Sequence, residues 1–264
     1  MLYNPRMASD KKNTNRLYSF LYLLLFYLGI DLLPIEKWIP EASLASFVRL
    51  LVLLCLLLLV IKEAYWNRRE EKETIRSKRD YFALLPFVFG FASNLFYALF
   101  FHQERKDAIS STIVISVFMV LVMASIEEIL FRYLLLSYFE NLFSNKKQKE
   151  ILSVLCSSLC FSLMHVINFY GNAYGAVLAQ LGYTLLLGII LGFLAVLFET
   201  PFLPLLGHFL YNFFNMTLYS GLYSTTFSVS YVIYSAAIGI VLTAYSFLLF
   251  VLFTRSKKTP IEEQ

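Results

Sequence analysis

Residues 125–136 read SIEEILFRYLLL, so Glu127, Glu128 and Arg132 sit inside a stretch otherwise built for lipid. On insertion scales a charge near a bilayer centre costs about 2.5–3.5 kcal/mol, so three unpaired would cost roughly 7–10 kcal/mol. Pairing is the way out. Glu128 and Arg132 stand four apart, which brings a carboxylate and a guanidinium together on one helix face. Glu127 has Phe131 at that spacing and points about a third of a turn away, so it lacks an intrahelical partner. A carboxyl held partly out of water is the kind of group that acts as a general base or acid near neutral pH.

Two further stripes carry polar chemistry through apolar runs. FSLMH places Phe161 and His165 on one face, and GHFLYN places His208 and Asn212 on another. Of the 3 histidines only His102 falls at an outer boundary, where it is expected to be idle. Intramembrane ionisable groups pair with one another, so the carboxylates, both imidazoles and the Asn are expected in one buried cluster. Counted up from Tyr138 at 1.5 Å per residue, Glu127 lies roughly 16 Å into the membrane, and His165 reaches the same height counted from Val154. His208, a few residues past Pro204, comes out shallower.

The chemistry this set suggests is general acid–base work by a partly desolvated carboxyl. Glu127, His165 and His208 are also acceptable Zn ligands, and a bound ion would acidify a water molecule directly. There is no H-E-x-x-H, however, and Asn is a poor Zn ligand, so the expectation is a reaction that needs no metal, with Zn as the alternative.

The surrounding elements must be membrane helices. Of 264 residues, 59% are hydrophobic and only 15% charged, far from the balance of a soluble domain. The mean hydropathy is +0.66. Aromatics reach 17%, which suits lipid-facing surfaces and interfacial belts such as Tyr170, Tyr174, Tyr219 and Tyr223. The apolar runs are continuous rather than alternating, which predicts an all-α bundle and not a barrel. Hydropathy marks about eight transmembrane helices: 17–33, 44–61, 81–101, 109–138, 151–169, 176–198, 202–219 and 229–253. The first lacks a small-residue cleavage site and reads as a retained span.

With the N-terminus in the cytosol, seventeen of the 22 Lys and Arg residues fall on the cytosolic side, in the tail, in 62–79, in 141–149 and in 255–258. Lys37, Arg105 and Lys106 are left outside, so both termini are expected in the cytosol of a multi-pass cell-membrane protein. The charged loop divides the chain into a two-helix region with its loop (1–80), a six-helix bundle bearing the polar stripes (81–255) and a polar tail (256–264). Cys55, Cys156 and Cys160 lie in apolar runs and read as reduced packing residues. Gly188 and Gly192 form a G-x-x-x-G, expected to serve a close helix crossing inside the bundle. The modest net charge of +4 implies contact with lipid headgroups and no nucleic acid.

E-E-x-x-x-R (Glu127, Glu128, Arg132), F-x-x-x-H (Phe161, His165) and H-x-x-x-N (His208, Asn212), in that order and all within apolar spans, resemble the CPBP intramembrane proteases, also called the CAAX protease and bacteriocin-processing or Abi family. The eight-helix layout is similar to that family's fold. The resemblance implies an endopeptidase in which Glu127 activates water, His165 helps to hold it, His208 and Asn212 steady the oxyanion, and Glu128 with Arg132 orders the site. It implies as substrate a peptide or protein tail at the cytosolic leaflet, in peptide maturation or in self-immunity against bacteriocins.

Two other classes compete. A binding or regulatory membrane protein, such as an immunity factor or a sensor modulator, could keep the same residues to fix helix register. A transporter would also place ionisable groups at mid-membrane, but the polar residues occupy one block of the chain and no inverted repeat is evident.

Overall fold

In hydrocarbon each backbone N–H and C=O must be paired within its own segment, and continuous apolar runs meet that demand as helices. The computed structural model describes residues 5–66, 82–100, 113–219 and 229–256, and all regular structure among them is helical. The helices are α1 (Pro5–Asp31), α2 (Ile35–Trp38), α3 (Ala42–Trp66), α4 (Leu85–Phe91), α5 (Ser93–Phe100), α6 (Ile113–Glu128), α7 (Leu136–Leu142), α8 (Lys149–Met164), α9 (Tyr174–Phe198), α10 (Phe202–Asn212) and α11 (Val229–Ser256). A π-helical segment, Ile129–Leu135, joins α6 to α7, and another, Phe213–Tyr219, extends α10. A 3₁₀ segment, His165–Tyr170, extends α8.

Five helical stretches among the described residues are long and apolar enough to cross a membrane: Ala42–Trp66, Ile113–Leu142, Lys149–Tyr170, Tyr174–Phe198 and Val232–Leu252. The chain is a multi-pass membrane protein. The other three expected spans are helical but differ from a simple crossing. The helix meant for 17–33 stops at Asp31. The run 81–101 is broken at Ala92 into the short α4 and α5, a break that a hydropathy window cannot see. The run 202–219 contains His208, Asn212 and Asn215, whose polarity lowers its average below that of a lipid span. His102, Tyr223 and most of the charged loop and tail lie outside the described residues.

Two apolar cores result. One is formed where α1 and α3 pack on α6 and its π segment, with Phe20, Leu23, Leu56, Ile126 and Phe131 buried together and Phe161 reaching in from α8. The other gathers α4, α9 and α11 around Phe91, Leu191, Phe193 and Phe250. Between α8 and α9 the expected close crossing is found. A Cβ on Gly188 would stand 3.0 Å from Ser158 Cβ, and one on Gly192 would stand 2.8 Å from Val154 Cγ1, so both glycines are used up inside the bundle.

A three-residue turn, 199–201, carries the chain from α9 to α10. Glu199 takes the left-handed conformation there, with φ 52°, which costs a residue with a Cβ about 1–2 kcal/mol. That sharp return seats α10 against both α9 and α6 and so brings His208 to the charged helix.

Candidate active site

The π segment begins one residue after Glu128. Regular helix would already place Arg132 over Glu128, and the pair survives the wider turn, with Arg132 Nε 3.3 Å from Glu128 Oε2. π-bulges recur at functional sites because they re-aim side chains without ending the helix. Glu127, Glu128, Arg132 and His208 are all at most 5% exposed.

His208 ties the charges together from α10. Its Nδ1 is 2.8 Å from Glu128 Oε1, and its Nε2 is 3.5 Å from Glu127 Oε2. A carboxylate only accepts, so Nδ1 carries the hydrogen of that bond, and Nε2 is left as the nitrogen that can gain or lose a proton. With Nε2 protonated and Glu127 ionised the four groups sum to zero charge. Moving that proton to Glu127 keeps the sum at zero. The three charges in lipid are thus faced by a fourth group, the His208 imidazole. The 3.5 Å gap exceeds hydrogen-bond length, so the exchange needs a bridging water or a small approach.

The depth estimate for His208 is corrected by these contacts. His208 lies level with the carboxylates because of the tight turn at 199–201, which a count from Pro204 does not register.

Phe161 explains why its motif contains an aromatic. Its ring meets the rings of His208 (5.6 Å, 90°), His165 (5.3 Å, 80°) and Phe131 (5.2 Å, 74°) edge to face. The Arg132 guanidinium lies 4.9 Å from its centroid, a cation–π contact worth about 2 kcal/mol when desolvated. One phenyl ring thus spaces both imidazoles and faces the arginine.

The expectation of a single cluster holds only in part. Glu127, Glu128, Arg132 and His208 come together, but His165 opens the 3₁₀ segment, is half-buried and directs Nδ1 to the Phe161 carbonyl at 3.0 Å. No hydrogen bond or ion pair among the described residues joins it to either carboxylate. Asn212 ends α10 one turn beyond His208 and is half-buried.

Sequence reasoning missed Tyr27. From α1, about a hundred residues upstream, its hydroxyl donates to Glu127 Oε1 at 2.5 Å, so Glu127 is not the unpartnered carboxyl that its own helix suggests. The available signal was weak. Tyr18, Tyr22 and Tyr27 all interrupt the same apolar run, and only Tyr27 falls on the buried stripe with Phe20 and Leu23.

Among the described residues no three His, Cys, Asp or Glu side chains are grouped to hold an ion. A cavity of about 40 Å³ borders Arg132 beside the α9–α10 turn, lined also by Ser137, Ala195, Glu199 and Pro201. That is room for roughly two or three water molecules.

Comparison with curated proteins gives no match to this chain. Against family models, residues 109–214 match Rce1-like, type II CAAX prenyl endopeptidase. The matched region is less than half of the chain, but it contains all three motifs, and Tyr27 lies outside it. The ordered motifs and this match agree, and in that region the chain is similar to the Rce1-like branch of the CAAX protease family, which points to a CAAX-type intramembrane protease.

Proposed function

We propose that the protein is an intramembrane endopeptidase that hydrolyses a peptide bond of a membrane-associated peptide or protein by a water molecule activated at Glu127. The observation that carries this reading is His208 placed between the two buried carboxylates, with Nδ1 fixed by Glu128 and Nε2 facing Glu127. In the state with Glu127 ionised and Nε2 protonated, Glu127 accepts a proton from water as its oxygen bonds to the carbonyl carbon. The charge that develops on the carbonyl oxygen is met by the Nε2 hydrogen and by the Asn212 amide. Glu127 then returns its proton to the departing amine as the C–N bond breaks, and the buried charges again sum to zero. His165, across Phe161 from His208, is assigned to holding the water.

Glu128 and Arg132 act behind this step by setting the imidazole tautomer. No metal is required in this reading, because His208 supplies the positive charge that an ion would otherwise bring. The substrate is reached at the cytosolic leaflet, where the family's bacterial members suggest peptide maturation or bacteriocin self-immunity as the setting.

The test is Glu127→Gln, which keeps shape but cannot take the proton. Mass spectrometry of membrane peptides should show cleavage products lost with expression unchanged. If the products persist, the cluster is a structural or binding element.

A further inference from the structure

We infer that Tyr27 is a positioning residue for Glu127, so that α1, outside the family-matched region, is part of the working site. The inference rests on the proposed proteolytic role of Glu127. A glutamate has three rotatable bonds, and a reacting carboxylate must be held within about 0.5 Å and 10–20° of its productive geometry. Among the described residues no hydrogen bond or ion pair from α6 itself restrains Glu127, and His208 stands 3.5 Å away from Oε2. The Tyr27 hydroxyl occupies Oε1 at 2.5 Å. That bond fixes the carboxylate plane and presents Oε2 to His208 and to the water.

A positioning residue must itself be held, and α1 is anchored to α3 at its middle and at its C-terminal end. At the middle the Ser19 hydroxyl donates to Glu63 Oε2 at 2.9 Å. At the C-terminal end, Arg49 Nη2 donates to the Leu33 carbonyl at 3.2 Å, and Nη1 lies 3.9 Å from Asp31 Oδ1. Between them Phe20 meets Phe131 edge to face at 5.3 Å, on the π segment that carries Arg132. Leu23 is fully buried and Tyr27 is 4% exposed. The phenol therefore cannot swing away without withdrawing α1.

Satisfying a buried hydroxyl would by itself produce the same contact, and Tyr27→Phe separates the two roles because the ring and its packing remain. With the full-length protein in liposomes, the expected result is a fall in kcat of about 10- to 100-fold, the range for a misplaced reacting group, with KM unchanged. A second readout is independent of turnover. Labelling of Glu127 by a hydrophobic carbodiimide, followed by mass spectrometry, should accelerate severalfold once Oε1 loses its cover. Wild-type kcat in Tyr27→Phe, or a change confined to KM, overturns the inference when Glu127→Gln is inactive. Unchanged labelling overturns it whatever the activity. Failure of the proteolytic reading shows separately, as cleavage that survives Glu127→Gln.

Discussion

The two cores of this protein are held by different means. Around α1, α3 and α6 the chain buries a carboxylate pair, a guanidinium, an imidazole and a phenol, and the fit depends on long side chains neutralising one another. Around α9 and α11 the core is apolar, and close approach is obtained by removing side chains, at Gly90, Gly188, Gly192, Gly207 and Gly239. Lipid gives helices no hydrophobic reason to associate, so a membrane protein can bind its helices by tight van der Waals contact or by polar groups that have nowhere else to go. The second device also brings groups able to exchange protons within reach of one another. The proposed activity draws on the region where polar pairing holds the helices.

That division can be broken first at its strongest point. Glu128→Leu leaves Arg132 buried without its counter-ion and His208 without its acceptor, and removing one partner of a buried pair destabilises by about 3–5 kcal/mol. The variant should lose its folded peak by size-exclusion chromatography in mild detergent. The double variant Glu128→Leu, Arg132→Leu should recover much of that loss while staying inactive; recovery of activity would show that the pair is not needed to orient His208. A smaller effect is expected from Gly188→Ala in the other core, where the new methyl meets the Ser158 Cβ at 3.0 Å and its Cα at 3.2 Å. Overpacking of this kind costs about 1–3 kcal/mol. Thermal melting should fall by several degrees with activity retained at low temperature; loss of activity without loss of stability would couple the two cores. The smallest effect is at Ser158 itself, whose buried hydroxyl has no hydrogen-bond partner. Ser158→Ala should be neutral or stabilising by up to about 1 kcal/mol, since it removes a polar group that lipid cannot solvate.

The apolar character, the helical class and the three polar stripes could be read from the order of residues, because each depends on neighbours within one turn. Glu128 with Arg132 is such a pair, and so is the G-x-x-x-G of α9. What could not be read depends on how separate segments meet. Tyr27 looks like any other aromatic of its span until α1 is laid against α6. The height of His208 is set by the left-handed Glu199, and a tight turn at a non-glycine residue leaves no mark in hydropathy. The break at Ala92 is hidden for the same reason, since both short helices are as apolar as one long span would be. His165 was expected beside the carboxylates because α8 was extended as a regular helix through it, whereas the chain tightens into a 3₁₀ turn at that residue.

The wide turn at Ile129–Leu135 has a consequence for how this segment tolerates change in length. A π turn closes with one residue more than an α turn, so deleting a single residue there would let α6 run straight into α7. The extra residue of a π turn is absorbed locally, so everything beyond Leu135 would keep its bearing while side chains inside the stretch, Arg132 among them, changed face. A one-residue gap in this stretch would thus be conformationally painless for the helix and ruinous for what it presents.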